Sequence, residues 1–263
     1  MEPEKKNNFA VPIAIIIAGA FVAGAIFYSN NNATTTPQPT DIKGAEIAIE
    51  VPEVTSADHL LGNPNASVVM IEYSDTECPF CKNFHATMNQ IMDAYGKNGK
   101  VAWIYRHFPL DQIHSKARKE AEGAECAAEL GGNDKFWAYM DRIFEITPSN
   151  DGLDLKLVPQ IAVDIGLDKT AFEQCLNSGK YASRIESDFQ GGVKAGVRGT
   201  PNTVFVFKKP LSKEAQGTLT AYFSKYPSNQ QILGITKEGS MVQISGALPH
   251  ADIKTIIDTA LAQ

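Results

Sequence analysis

The chain has 263 residues, with 24 Lys and Arg against 30 Asp and Glu, a net charge of −6 and 43% hydrophobic residues. That is apolar material for one sizeable core or two small ones. Mild acidity without any lysine- or arginine-rich block excludes the electrostatic footprint of a nucleic-acid binder and mainly implies solubility.

Residues 1–8, MEPEKKNN, read as a short cytoplasmic tail with Lys5 and Lys6 as its basic residues. Residues 9–28, FAVPIAIIIAGAFVAGAIFY, carry no charge. As a helix they would rise roughly 30 Å, about the hydrocarbon thickness of a bilayer. The next positive charge is Lys43, so the positive-inside rule predicts a single-pass anchor in the cell membrane, N-terminus in, with the bulk of the chain outside the cytoplasm. A cleaved signal peptide is the alternative, with a shorter apolar core of roughly 7–15 residues. Residues 29–46, rich in Asn, Thr and Pro, read as a linker with an r.m.s. reach of roughly 20–25 Å.

A folded domain is expected over 47–263. VVMIEYSD (68–75) reads as a buried strand with one embedded acid. Phe80, Phe84, Met88, Ile91, Met92 and Tyr95 then recur at helical spacing, with Gly96 as a stop. VAWIYRHFP (101–109) reads as a second strand closed by Pro109. Strand, helix and strand joined by short turns form a βαβ unit with parallel pairing. Residues from about 113 to 196 read as a helical insertion. It includes the small-residue stripe Ala117, Ala121, Ala124 and Ala128, and a helix with Asp168 as N-cap and Gly179 as stop. Strands return at TVFVF (203–207) and MVQIS (241–245), and Pro249 opens a last helix with Ile253, Ile256, Ile257 and Leu261 on one face. The stretch 208–240 is least determined: SKEAQGTLTAYFSKY is compatible with helix, and QQILGIT with pairing to MVQIS.

The chemistry concentrates in CPFC, residues 78–81. Cys78 falls where strand hands over to helix, near orphan backbone N–H groups whose partial positive charge favours a thiolate. Pro79 suits the first helical turn. Cys81, one turn along and more buried, suits a resolving thiol behind an exposed, attacking Cys78. A zinc site would need about four ligands, whereas Cys126 and Cys175 are isolated and His85, His107 and His114 show no ligand spacing. A structural disulfide closing so small a ring would stabilise little. Redox exchange is the favoured reading, and neither a metal nor another cofactor is expected.

IEYSDTECPFCKNF, YRHFPL, the helical block and GVRGTPNTVFVF together resemble the DsbA-type thiol–disulfide oxidoreductases, including the membrane-tethered bacterial ones. The resemblance covers roughly 47–263 except 208–240. It implies a thioredoxin fold with an all-helical insertion, Cys78 as nucleophile and Cys81 as resolving cysteine. It further implies a cis Thr200–Pro201 loop that pairs with extended clients beside Phe80, and Glu72 as a buried acid that exchanges a proton with Cys81. An ordinary trans proline and an exposed, edge-facing Glu72 are the alternatives. Some relatives carry a second disulfide in the insertion, which here would join Cys126 and Cys175; two buried free cysteines are the alternative. His85, four residues after Cys81, reads as a solvated helix residue. The strongly oxidising members have histidine where this chain has Phe80, which implies a milder oxidant here.

The resulting expectation is a monomeric dithiol oxidase that introduces disulfides into exported proteins with free thiols. A quinone-coupled membrane partner would reoxidise it, and the lipid bilayer would hold it through residues 9–28. A reductase of the same compartment and a peptide-binding chaperone are the alternatives.

Overall fold

The computed structural model describes residues 48–227, 230 and 232–263. The expected tail, anchor and linker (1–8, 9–28, 29–46) lie outside them, and among the described residues no helix is long and apolar enough to cross a membrane. In chain order come β1 (His59–Gly62), β2 (Val68–Ser74), α1 (Pro79–Ile91) and β3 (Val101–His107). Five helices follow: α2 (Ala117–Gly131), α3 (Asn133–Ile146), α4 (Val158–Asp164), α5 (Lys169–Ser178) and α6 (Ala182–Lys194). The chain closes with β4 (Asn202–Phe207), α7 (Lys213–Phe223), β5 (Leu233–Ile235), β6 (Met241–Ser245) and α8 (His250–Leu261).

The six strands form one sheet in the order β1-β3-β2-β4-β6-β5. β2 and β3 are parallel across the α1 crossover, with Glu72 opposite Tyr105 and Ser74 opposite His107. β4 runs antiparallel to β2 and sets Thr203 opposite Glu72. Both stretches left undetermined between 208 and 240 are ordered elements: α7 is helical, and β5 pairs with β6. α1 does not stop cleanly at Gly96; its last turn, Met92–Gly96, widens to a π-helical one.

Alternation along β2 assigns its two faces. Val68 and Met70 join the larger core with Phe84, Met88 and Ile91 of α1, Trp103 and Tyr105 of β3, and Ile253, Ile256 and Ile257 of α8. Ile71 and Tyr73 face the other way and pack with Ile104, Phe108 and Val197. On that side α6 lies close to the sheet because it carries Gly192, where a Cβ would meet the Phe108 ring at 2.5 Å.

The insertion α2–α6 leaves the sheet after β3 and returns before β4. Ala117, Ala121 and Ala124 are buried, as close packing of α2 requires. Asp168 caps α5 by accepting the N–H of Ala171 at 2.7 Å, and Gly179 ends it in the left-handed region. A disulfide joins Cys126 of α2 to Cys175 of α5, 49 residues apart. Arg106 on β3 fastens the chain that enters the sheet: its guanidinium donates to Asp58 at 2.8 Å and to the carbonyls of Pro52 and Glu53.

Candidate active site

Cys78 occupies the N-cap of α1 in an extended conformation, with Pro79 in the first turn. Its sulfur approaches the carbonyl oxygen of Thr200 at 3.5 Å, and the Thr200–Pro201 bond is cis. The Cys81 thiol, foremost, then the Thr200 side chain and the first-turn amides of Cys81 and Phe80 favour the charged form of Cys78. Against the opposing effect of burial, they bring it down to about 6. Cys81, wholly buried, is pushed well above its ordinary value by that burial and by the neighbouring Cys78 and Glu72 charges. One sulfur is therefore a thiolate at neutral pH and its neighbour a thiol. Both are unbridged.

Two expectations need correction. Cys78 is 4% exposed rather than open to solvent, because the Thr200–Pro201 loop lies across it. His85 is buried, not solvated: its Nε2 meets Asp141 at 2.7 Å and its ring packs against Trp103 and Phe144. Phe80, between the cysteines, is 64% exposed, the apolar side chain available to a docking chain.

Thr200 and Pro201 border an open groove of about 530 Å³, lined also by Arg198, Asn202 and Ser245. The loop is held from behind. Gln243 donates to the Ala195 carbonyl at 3.1 Å and to Asn202 at 2.9 Å, and Asn202 donates to Ser245 at 3.0 Å.

Beneath the cysteines, Glu72 is fully buried on the β2 face toward α1. Neither carboxylate oxygen closes a hydrogen bond. Burial raises its pKa to about 7, and the nearby Ser74 hydroxyl and Trp103 indole temper the effect. Cys78, Cys81, Glu72, Thr200, Pro201 and Phe80 thus gather around one point, while the Cys126–Cys175 disulfide sits apart in the insertion.

The sequence reading missed a second acidic layer just before Cys78. Asp75 accepts the N–H groups of Glu77 at 2.8 Å and Leu110 at 2.7 Å, and pairs with His114 at 2.9 Å. Burial opposes protonation of His114, but the bond and charge of Asp75, with the Cys78 charge and Asn150, together outweigh this and raise its pKa. Glu120 of α2 accepts the Thr76 hydroxyl at 2.6 Å. Burial, and then the Glu77 carboxylate beside it, push Glu120 up to about 9, so it keeps its proton at neutral pH. The backbone of Glu77 accepts from Asn150, the middle of three successive left-handed residues, Ser149–Asp151. The only local signal was the density of acids in SDTEC. Among the described residues, no group of three or more His, Cys, Asp or Glu is placed to hold a metal ion.

Comparison with known proteins agrees with this geometry. The family model described as thioredoxin matches residues 54–221. Among solved structures, alpha-DsbA1 of Wolbachia pipientis aligns with a TM-score of 0.60 at 25% identity, covering 80% of this chain and 93% of that one. BdbD of Bacillus subtilis, in its oxidised form, gives 0.62 at 19% identity over 83% and 100% of the two chains, a likeness of fold. Among curated proteins, the Na(+)/H(+) antiporter NhaA 1 of Mycolicibacterium gilvum is 26% identical over 207 residues, which are 78% of this chain but 31% of that relative. The chain thus spans about a third of the length of the curated relatives it matches.

Proposed function

Since the chain belongs to the thioredoxin family and is a protein thiol–disulfide oxidoreductase of DsbA-like fold, we propose that it works as a dithiol oxidase outside the cytoplasm. Its clients are exported proteins with free thiols. In this reading a client thiolate attacks Cys78 of the Cys78–Cys81 disulfide and Cys81 leaves. A second client thiolate then attacks the client sulfur of the mixed disulfide and releases reduced enzyme. Glu72 exchanges the proton of Cys81, and Phe80, Thr200 and Pro201 receive the client chain. The protein acts as a monomer, residues 9–28 anchor it in the bilayer, and a quinone-coupled membrane partner returns it to the disulfide form.

The observation that carries the oxidase direction is the Cys78 thiol at about 6 beside a Cys81 held far higher. A stabilised thiolate favours the reduced enzyme, and an enzyme stable when reduced is an oxidant. That value lies between the roughly 7 of thioredoxin and the roughly 3.5 of DsbA, so a mild oxidant is expected. The cysteine pair in α2 and α5, already bridged, suits an oxidising compartment. Phe80 favours the second reading, a reductase, because it offers the thiolate no hydrogen bond. Equilibration with glutathione buffers decides between them: a potential well above roughly −270 mV supports the oxidase, and one at thioredoxin's level overturns it.

A further inference from the structure

The proton that Cys81 loses or gains has no direct bonded route to Glu72. Six polar atoms on the sheet face under α1 are buried without a hydrogen-bond partner: both Glu72 carboxylate oxygens, Ser74 Oγ, Trp103 Nε1, Tyr105 Oη and Thr203 Oγ1. The register explains their gathering, because Tyr105 and Thr203 flank Glu72 on the neighbouring strands and Ser74 follows it by one full pleat. A buried polar group without a partner costs on the order of 1–3 kcal/mol, so such a concentration in one place calls for a use.

These groups are not equivalent as proton carriers. The indole of Trp103 only donates. Tyr105 feels Cys81 and Glu72 through charge alone, and burial pushes its phenol well up. Ser74 differs: it shares the sheet face of Glu72 and Tyr105, and its hydroxyl is near enough to favour the charged forms of Glu72, Cys81 and Tyr105 alike. In the resting arrangement none of these contacts is a formed bond, so the hydroxyl is not committed to one partner. A hydroxyl both donates and accepts, and catalytic hydrogen bonds often tighten only when the reaction begins.

We propose that Ser74 is the proton relay between Cys81 and Glu72. The inference rests on the reading of Glu72 as proton exchanger given above. When a client thiolate attacks Cys78, the Cys78–Cys81 bond breaks and Cys81 leaves with the electron pair. Cys81 takes the hydroxyl proton of Ser74, and Ser74 takes the proton of the Glu72 carboxyl group. When a mixed disulfide at Cys78 is resolved, the flow reverses: Cys81 gives its proton to Ser74, Ser74 gives one to the Glu72 carboxylate, and the Cys81 sulfur attacks Cys78 and expels the bound thiol. In each direction one S–S bond forms as another breaks, and Ser74 ends as it began.

The other groups facing Ser74 do not substitute for it. On its own strand only Glu72 titrates on this face. From α1 come the two active-site cysteines, and from β4 the uncharged Thr203. From β3 come Tyr105 and His107, the register partner of Ser74, which is tied to Glu125 at 3.1 Å. Replacing Ser74 by alanine removes a hydroxyl with no formed bond, so the fold has little to lose.

The test follows resolution directly. Reduced full-length protein is mixed rapidly with excess oxidised glutathione, quenched in acid at successive times, and weighed by mass spectrometry. Decay of the glutathionylated species reports attack by Cys81. Wild type should reach a plateau once Glu72 is ionised. Ser74→Ala should be at least tenfold slower at pH 7, with a rate that climbs with pH so that the deficit shrinks toward pH 10. Glu72→Gln should behave alike, and the double variant should be no slower than the slower single one. A Ser74→Ala rate within twofold of wild type while Glu72→Gln is slow overturns the relay and leaves the Glu72 reading standing. A wild-type rate in Glu72→Gln overturns both. A Ser74→Ala deficit that is constant at every pH, or losses that multiply in the double variant, also overturn the relay.

Discussion

Glu72 should make the oxidised protein lose stability as pH rises, and Glu72→Gln should abolish that loss. An unfolded glutamate titrates near 4.5, whereas burial among Trp103, Tyr105 and Cys81 holds the folded one at about 7. Between those values the folded state binds the proton more tightly. The stabilisation is therefore complete below 4.5 and is lost as pH rises through 7. Each tenfold change in proton affinity is worth about 1.4 kcal/mol, so the loss amounts to about 3 kcal/mol. Working with the Cys78–Cys81 disulfide closed removes cysteine titration and with it the Cys78 charge, a smaller contribution than burial to the raised Glu72, and Glu120 and His114 titrate alike in both proteins. Urea unfolding at pH 5 and pH 8 then isolates Glu72. Whatever constant offset the new amide introduces cancels when the two pH values are compared. The variant should gain about 2.5 kcal/mol on wild type between them, because part of the unfolded titration lies below pH 5. A gap between the two proteins that does not change with pH would refute the account of an uncompensated buried acid.

Three further outcomes follow from named contacts. Cys126→Ala with Cys175→Ala opens a loop closed across 49 residues, worth about 4 kcal/mol in the chain-entropy model; a fall in urea-derived stability below about 1 kcal/mol would contradict that account. Phe80→His places a donor beside the sulfurs and should lower the Cys78 titration, read by thiolate absorbance, from about 6. Its potential should rise by about 30 mV for each tenfold gain in acidity, and no movement in either quantity would remove Phe80 as the moderator of oxidising power. Asp58→Asn leaves the buried Arg106 guanidinium without its carboxylate and should cost about 3 kcal/mol. Thermal unfolding reads this, and an unchanged midpoint would mean that the carbonyls of Pro52 and Glu53 hold the arginine unaided.

What could be read from the sequence was what lies close along it. β2, α1 and β3 carry strong local periodicities, and Asp168 and Gly179 bracket α5 through contacts of only a few residues. β1 escaped notice because four residues, His59–Gly62, are too few to show alternation. The acidic layer escaped for a different reason. Thr76 and Glu120 are 44 residues apart, and Asp75 and His114 are 39 apart, so only the return of α2 and of the loop before it over the β2–α1 junction brings them together. His85 looked solvated because its helical position says nothing about α3, which supplies Asp141 and Phe144. Likewise the depth of Cys78 depends on a loop 122 residues away.

The two faces of β2 explain why the site took this form. Ile71 and Tyr73 meet an apolar layer, and that side of the strand follows the ordinary pattern of a buried sheet. The opposite side breaks the pattern after Met70, where two polar residues take places that core residues would fill more stably. Such departures from consistency are expected where function sets the residue. The break begins at the end of the strand that feeds α1, which is where strand geometry delivers side chains beneath the helix N-terminus. A thiolate at that N-terminus is favoured by the neighbouring thiol and backbone amides, which local structure supplies, together with Thr200 from the cis-proline loop. Its partner sulfur, one turn deeper, is wholly buried and in the proposed mechanism draws its proton from side chains of the sheet. In the proposed mechanism the polar end of β2 is therefore the counterpart of a buried Cys81: a deeper resolving thiol makes Cys78 the selective point of attack, and an internal acid supplies the proton that water cannot reach Cys81 to give.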